Sequence, residues 1–244
     1  MAHLIAIPVY NEEKHLAKVL HESEKNGLDI LVVDDGSTDG TQKVLESFPN
    51  VYILKHPTNQ GYGAALRTAF DYACREGYEA VVTLDSDGQH EPRLVKQFLE
   101  ASKEYDIVSG SRYLAESAMD TPAPKDRRRI NSLITDQLNA CMRLSLTDSF
   151  CGFKAYRTDA LKKLHLTEPG YGMPLELWVQ ASCLGLKITE LPVPRIYLDP
   201  NRSFGEHLDD ADQRMAYYQK VIDSALADAK RRKPRGCPPS PCQK

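Results

Sequence analysis

The chain has 244 residues, of which 41% are hydrophobic and 27% are charged, and its formal net charge is −3 at pH 7. This composition is typical of a globular protein with one large domain or two small ones. The slightly acidic balance disfavours a general nucleic-acid binder. Every apolar stretch falls short of the roughly 18 residues that a membrane-spanning helix needs. The opening "MAHLIAIPVY" lacks the basic start and the cleavage site of a signal peptide.

The six cysteines show no CxxC spacing. Four of them lie in apolar or helical stretches and are expected to be reduced core residues: Cys74, Cys141, Cys151 and Cys183. We therefore expect a cytoplasmic protein. The pattern assigns no role to Cys237 and Cys242 near the end of the chain.

Buried apolar runs and amphipathic segments alternate through the first 113 residues. The runs that predict strands are 3–9, the start of 29–40, 51–56, 78–85 and 105–113. The segments that predict helices are a stretch with Leu16, Val19 and Leu20 on one face, then 41–48, 61–77 and 92–102. Short, doubly apolar strands that alternate with helices indicate an α/β fold with a mostly parallel sheet covered on both faces.

The second half of the chain is less regular. "TPAPKDRR" (121–128) predicts a loop that is rich in proline and charge. Further helices are predicted at 130–146, 174–185 and 208–232, and further strands at 153–157 and 186–198. We expect a single domain over residues 1–228 and a disordered, basic, proline-rich tail over residues 229–244.

Polar residues follow four of the predicted strands directly. They read "PVYNEE", "VDDGSTD", "LDSDGQH" and "SGSRY" after the first, second, fourth and fifth strands. In open α/β sheets, ligands bind outside the carboxyl ends of the strands. The sequence therefore predicts a ligand site at this edge of the sheet.

Two carboxylates one residue apart end the fourth strand. On an extended backbone Asp85 and Asp87 point to the same face. Oxygen ligands suit Mg²⁺ or Mn²⁺, cations that also bind substrate phosphates, and Gln89 offers one more oxygen. The alternative interpretation is a capped turn that leads into the helix at 92–102.

Three further features at this edge have both a functional and a structural interpretation. Asp35 can accept a hydrogen bond from a nucleobase or a ribose, or it can cap a helix together with Ser37 and Thr38. The glycines of "NQGYGAAL" (59–66) allow the backbone to approach a ligand closely. Arg112 can pair with a diphosphate, or it can be an ordinary surface arginine.

Six motifs together resemble the family-2 glycosyltransferases, in particular the branch of dolichol- and polyprenyl-phosphate mannosyl- and glucosyltransferases. They are "IPVYNEE", "VVDDGSTDGT", "NQGYGAALRTAF", "TLDSDGQHEP", "GSRY" and "DSFCGFKAYR", in the family's order and spacing. The resemblance is dense over residues 3–113, looser to about residue 205, and absent from the tail. It implies a GT-A fold, a nucleotide-sugar donor and a Mg²⁺ or Mn²⁺ cofactor.

The resemblance also implies roles for individual residues. Matched by motif, the residues of the nucleoside pocket are Pro8, Tyr10, Glu12 and Asp35. Those that hold the metal on the donor diphosphate are Asp85, Asp87 and Gln89, and Arg112 faces the same phosphates. In the polyprenyl-phosphate branch, an arginine after "GSRY" binds the acceptor phosphate. Here "KDRRRIN" offers Arg127, Arg128 and Arg129, of which we favour Arg129 and then Arg128. The alternative is a solvated loop with no binding role.

The chemistry that the resemblance implies is transfer with inversion at the anomeric carbon. A hydroxyl acceptor needs a general base, whereas an ionised phosphate is already nucleophilic. The candidate bases are Asp148 of "DSFCGF" and Glu176 of "MPLELW". Glu176 could also be an ordinary helix glutamate, and Trp178 is expected in the core.

One stretch departs from the family. The branch usually shows an arginine followed by "GESK". Residues 199–210 retain Arg202, which the resemblance assigns to the donor phosphates, and Ser203. The lysine is missing, and Glu206 and His207 stand near its place. Two acceptors are therefore expected as alternatives. One is a polyprenyl phosphate, which the protein would reach as a peripheral protein at the inner face of the membrane. The other is a soluble or saccharide hydroxyl. A non-catalytic nucleotide-sugar-binding protein is a further alternative. A sugar-phosphate nucleotidyltransferase is disfavoured, since "PVYNEE" stands where that class has a glycine-rich loop.

Overall fold

Seven strands within the described residues form one mixed sheet. The structure, a computed structural model, describes residues 2–198 and 206–232. The strands are β1 (His3–Val9), β2 (Asp29–Asp34), β3 (Tyr52–Lys55), β4 (Ala80–Thr83), β5 (Ile107–Ser111), β6 (Lys154–Arg157) and β7 (Ile188–Pro192). The helices are α1 (Leu16–Glu24), α2 (Thr41–Leu45), α3 (Tyr62–Arg75), α4 (Val95–Ala101), α5 (Lys125–Met142), α6 (Thr158–Leu161), α7 (Met173–Cys183), α8 (Glu206–Asp209) and α9 (Ala211–Arg232). A 3₁₀ turn (Pro92–Leu94) precedes α4.

The strand order is β3-β2-β1-β4-β6-β5-β7. All neighbouring strands are parallel except β6, which runs antiparallel between β4 and β5. The prediction of a mostly parallel α/β sheet is therefore confirmed. Because β1, β2, β4 and β5 run in one direction, the polar segments after them meet at one edge of the sheet.

Hydrophobic clusters cover both faces of the sheet. In β1, Leu4 and Ala6 pack against one hydrophobic cluster, while Ile5 and Ile7 pack against the other. The first cluster includes Trp178, whose indole N–H donates to the Ser149 carbonyl at 2.9 Å. Trp178 has no exposed surface, which confirms its predicted place in the core.

Helix α5 begins earlier than the sequence pattern predicts. Lys125 to Arg129 were expected partly in a loop, yet they form the first turn of the helix. Apolar periodicity starts only at Ile130, because this first turn lies at the surface. The actual start signals are Pro124 just before the helix and Asp126 in its first turn. Because Arg127, Arg128 and Arg129 are therefore helical, each of them leaves the helix in a different direction.

The last predicted helix is divided in two. The Asp210 carboxylate accepts hydrogen bonds from the backbone N–H groups of Asp212 and Gln213, at 3.1 and 2.8 Å, and so caps the start of α9. Helix α9 continues to Arg232, beyond the expected domain end at residue 228. The rest of the expected tail lies outside the described residues.

Within the described residues, no helix combines the length and apolar character needed to cross a membrane. Cys74 and Cys151 carry free thiols, as expected. Cys141 and Cys183 are disulfide-bonded, so the expectation of reduced thiols is wrong for these two residues. Their apolar, buried surroundings gave no sign of pairing in the sequence.

Candidate active site

A cavity of about 830 Å³ lies at the carboxyl ends of β1, β2, β4 and β5. Its lining includes all eight residues that the sequence places in the donor and metal sites within the described region: Pro8, Tyr10, Glu12, Asp35, Asp85, Asp87, Gln89 and Arg112. Residues from α5, α7 and α9 also line the cavity. The sheet edge and the helices of the second half thus form one site.

The segments after β1 and β2 hold each other in place. Asn11 has a left-handed backbone, with φ of 55°, and its side-chain oxygen accepts hydrogen bonds from the Thr38 and Asp39 N–H groups. The Glu12 N–H donates to the Thr41 hydroxyl at 2.9 Å. These contacts leave Tyr10 44% exposed at the mouth of the cavity, where a planar ligand can stack on its ring.

The buried Asp35 carboxylate fixes the next segment of the wall. One oxygen accepts hydrogen bonds from His56 Nδ1 at 2.6 Å and from the Gln60 N–H at 2.9 Å. The other accepts from the Gly61 N–H at 2.8 Å. At the start of α2 the Asp39 carboxylate, not Asp35, accepts the Thr41 N–H at 3.0 Å, so the alternative in which Asp35 caps that helix is wrong.

Asp85 and Asp87 lie side by side in the lining, each oriented by a neighbour. The Tyr62 hydroxyl donates to Asp85 at 3.0 Å. Gln89 donates to Asp87 through its backbone N–H at 3.0 Å and through its side-chain amide at 2.7 Å. This leaves the amide oxygen of Gln89 as the atom with which it would ligate a cation.

Gly152, which precedes β6, allows the chain to pass directly beneath the acidic pair. A Cβ atom at this position would lie 2.5 Å from an Asp85 carboxylate oxygen. His90 supports Asp85 from the other side, since its Nδ1 accepts the Asp85 N–H at 3.0 Å. The sequence motifs contain both residues but gave no hint of these contacts.

The oxygen donors fit a hard divalent cation. Two carboxylates and one amide oxygen are the ligand types that Mg²⁺ and Mn²⁺ prefer, and a diphosphate could supply the remaining ligands. In the described part of the chain, no group of three or more His, Cys, Asp or Glu side chains is arranged to hold a metal by itself. A cation at Asp85 and Asp87 would thus share its ligands with a substrate.

Arg112 is held by a buried partner. Its Nε and one terminal nitrogen donate to the two oxygens of Asp148 at 2.6 and 2.9 Å, and its backbone N–H adds a third contact at 3.2 Å. Burial favours the neutral acid, but the guanidinium charge outweighs it and holds the pKa of Asp148 below its ordinary value. The remaining terminal nitrogen of Arg112 lies 3.4 Å from the Tyr197 hydroxyl in the cavity wall.

The two candidate bases do not line the cavity. Asp148 also accepts the Asn131 amide at 2.7 Å, so donors surround its carboxylate. Glu176 accepts hydrogen bonds from Thr167 and Glu168, three of them between 2.8 and 2.9 Å, and so braces the segment before α7. Donors from neighbouring segments thus engage both carboxylates, and the role of either one as a base stays a prediction.

The three arginines of α5 point in different directions, because successive helical residues are rotated by about 100°. Arg127 lines the cavity. The Arg128 guanidinium lies 5.8 Å from the centre of the Tyr113 ring, and Arg129 is exposed. Of the three arginines, Arg127 is the one in the cavity lining, and the acceptor-binding role of Arg129 or Arg128 stays a prediction.

Aromatic side chains that the sequence did not single out complete the site. Tyr62 and Tyr171 stack with ring centres 5.6 Å apart, and Phe150 and Tyr218 lie 4.7 Å apart. All four line the cavity. Only Tyr62 belongs to a segment, "NQGYGAAL", that the sequence predicted to approach a ligand. In sequence, tyrosines at helical spacing in α9 cannot be distinguished from core residues. Arg202 and Ser203 lie outside the described residues, as do the side chains of Glu206 and His207.

The site and the sheet define a GT-A type nucleotide-sugar fold, and comparison with known proteins identifies the family. The Glycosyl transferase family 2 model matches residues 4–165, more than half of the chain. The chain therefore belongs to glycosyltransferase family 2.

Curated relatives extend over most of the chain. An undecaprenyl-phosphate mannosyltransferase of Micrococcus luteus is 33% identical over 199 residues, which cover 78% of this chain and 82% of the relative. A UDP-N-acetylglucosamine–dolichyl-phosphate N-acetylglucosaminyltransferase of Methanococcus voltae is 32% identical over 229 residues, 84% of this chain and 89% of the relative.

A solved structure shares the fold at lower identity. It is glucosyl-3-phosphoglycerate synthase of Mycobacterium tuberculosis in complex with Mn²⁺, UDP and phosphoglyceric acid. Its TM-score is 0.70 at 20% identity, covering 93% of this chain and 78% of that one. This similarity supports the GT-A architecture.

Proposed function

We propose that this protein transfers a sugar from a nucleoside diphosphate sugar to the phosphate of a polyprenyl phosphate, with inversion at the anomeric carbon. The observation that carries the proposal is that two unlike sets of side chains line one cavity. The carboxylates of Asp85 and Asp87 form the first set, and Arg127 with the aromatic pair Phe150 and Tyr218 forms the second. The substrates named for the two curated relatives support the same pairing.

The acidic set would take the donor. Asp85, Asp87 and Gln89 would hold a Mg²⁺ or Mn²⁺ ion on the diphosphate, with Arg112 facing the same phosphates and Tyr10 and Asp35 at the nucleoside. We also assign Arg202 to the donor phosphates, as its motif implies. When bound, the cation would offset negative charge on the departing diphosphate. The Arg112–Asp148 pair keeps the guanidinium in a fixed direction, which avoids the cost of orienting it during the reaction.

The acceptor phosphate would act as the nucleophile. One of its oxygens attacks the anomeric carbon while the bond from that carbon to the donor's β-phosphate oxygen breaks. The electron pair of this bond leaves on the nucleoside diphosphate. An ionised phosphate has no proton to lose, so the reaction needs no general base. The engagement of Asp148 and Glu176 in other contacts is consistent with such an acceptor.

A polyprenyl acceptor would keep its chain in a bilayer. We therefore propose that the protein works as a peripheral protein at the inner face of the membrane. Arg127 at the cavity and Arg128 and Arg129 beyond it would supply cationic groups on the acceptor side. We assign the activity to a single domain formed by residues 1–228.

A transfer assay tests the proposal. Each of several nucleotide sugars is incubated with Mn²⁺ or with EDTA, and with a short isoprenyl phosphate or the matching alcohol. We expect one donor to give a glycosylated phosphate product, only with metal and only with the phosphate. Transfer to the alcohol would identify a hydroxyl acceptor instead. Binding of a donor without any turnover would indicate a non-catalytic sensor.

A further inference from the structure

Tyr218 brings helix α9 into the lining of the cavity. The residue is only 4% exposed, yet it lines the cavity. It lies well beyond residue 165, where the match to the family model ends. Whatever Tyr218 contributes is therefore a feature of the second half of this chain.

The Tyr218 hydroxyl makes no hydrogen bond within residues 2–198 and 206–232. Its neighbour Tyr217 shows the contrast, because that hydroxyl donates to Glu168 at 2.6 Å and accepts the Gly172 N–H at 3.0 Å. Tyr218 lines the cavity, and its hydroxyl is not among the fully buried, unpartnered polar atoms of the described residues, so the hydroxyl is accessible to a ligand there. The arrangement is understandable if a ligand in the cavity supplies the missing acceptor.

The surroundings define the chemistry of that ligand. Burial raises the pKa of Tyr218 to about 12, despite the opposing charges of Arg214 and Arg127, so the phenol keeps its proton at neutral pH. It can therefore donate a hydrogen bond. The Phe150 ring lies 4.7 Å away, and Ile130 lines the cavity nearby. The Tyr218 hydroxyl, as a hydrogen-bond donor, and the Arg127 cation thus share the cavity with the apolar side chains of Phe150 and Ile130.

We infer that Tyr218 binds the acceptor by donating its phenolic O–H to an oxygen of the acceptor's phosphate monoester, beside Arg127. The apolar part of the acceptor next to that phosphate packs against Phe150 and Ile130. This inference rests on the proposed function, since it assigns a residue to the acceptor of the same reaction.

The test is the Tyr218→Phe variant, which removes only the hydroxyl. Hydrogen bonds to charged groups are strong, so we expect the KM for a ten-carbon isoprenyl phosphate to rise about tenfold to a hundredfold. The melting temperature should stay close to that of the wild type, because no contact within the described residues is lost. The dissociation constant for the donor is measured alongside, since a general loosening of the site would raise it as well.

Tyr217→Phe is the matched control. It loses two hydrogen bonds that brace residues 168–172, so we expect a lower melting temperature with little change in the acceptor KM. An unchanged acceptor KM in Tyr218→Phe would overturn the inference while leaving the proposed function intact.

Glycerol 3-phosphate, tested as a second acceptor, separates the two sources of a phosphate monoester. If only glycerol 3-phosphate is glycosylated and Tyr218→Phe raises its KM, the role of Tyr218 stands and the polyprenyl acceptor is wrong. If the wild type glycosylates neither phosphate, both proposals are overturned.

Discussion

Asp148 has no exposed surface, and its negative charge is compensated by the Arg112 guanidinium, two of whose nitrogens contact it. Its motif alone made Asp148 a candidate base. Buried pairs of this kind contribute little net stability, but the loss of one partner leaves an uncompensated charge. If Asp148 positions Arg112, removal of its charge should therefore lower the stability of the protein, whereas the loss of a base should lower kcat.

We predict that Asp148→Asn destabilises the protein by about 3–5 kcal/mol, because Arg112 then remains largely buried without a counter-ion. Chemical denaturation measures this loss. Asp159→Asn is a suitable control, since Asp159 forms an exposed pair with Lys162 at 3.3 Å and its change should cost about 1 kcal/mol or less. Full stability of Asp148→Asn together with a lower kcat would contradict this positioning role and support the base.

At the scale of elements, α5 and the turn before β6 shape the two sets of side chains in the cavity. The first turn of α5 presents Arg127 inward and Arg129 outward. Gly152 lets the chain approach Asp85 so closely that no side chain fits between them. Each element therefore affects one set of side chains, and each can be tested separately.

For α5 we predict different results at two neighbouring arginines. Arg127→Ala should raise the acceptor KM at least tenfold, because a charge-assisted contact to phosphate is lost. Arg129→Ala should leave it within about twofold, as an exposed charge contributes little. Steady-state kinetics with an isoprenyl phosphate measures both. The reverse order of effects would show that α5 presents a different face to the acceptor.

For the turn before β6 we predict that Gly152→Ala weakens metal binding without unfolding the protein. The new Cβ would lie 2.5 Å from the end of the Asp85 side chain, which can move aside. Displacing a metal ligand in this way typically costs about tenfold to a hundredfold in affinity. Mn²⁺ titration in the presence of a nucleoside diphosphate gives the readout. Wild-type Mn²⁺ affinity would show that Asp85 is not a ligand.

At the scale of the whole molecule, the sequence predicted the main elements of both halves to within a few residues, but not how those of the second half pack. Strands such as 3–9 can be predicted because both of their faces are buried, which makes the sequence continuously apolar. The parallel topology then places the polar segments that follow them at one edge of the sheet. The position of β6 between β4 and β5 has no local signal. Contacts such as Arg112 with Asp148, 36 residues apart, follow from that arrangement and could not be predicted either.

The same limit applies to the aromatic side chains of the cavity. Tyr171 and Tyr218 come from segments far apart in the chain, and their spacing fits a core as well as a binding site. Motifs revealed the residues proposed for the donor because they follow the strands directly. The residues proposed for the acceptor come together only through the packing of α5, α7 and α9, which the structure had to supply.

The central claim is that a nucleotide donor binds at the Asp85–Asp87 pair with a divalent cation. The most direct test is thermal unfolding with UDP-, GDP-, dTDP- and CDP-linked sugars, each with and without Mn²⁺, on the wild type and on Asp87→Ala. A ligand at 100 times its dissociation constant adds about 2.7 kcal/mol of stability. We predict stabilisation of the wild type by one nucleotide class, only with Mn²⁺, and none in Asp87→Ala. Equal stabilisation of both proteins would contradict the account.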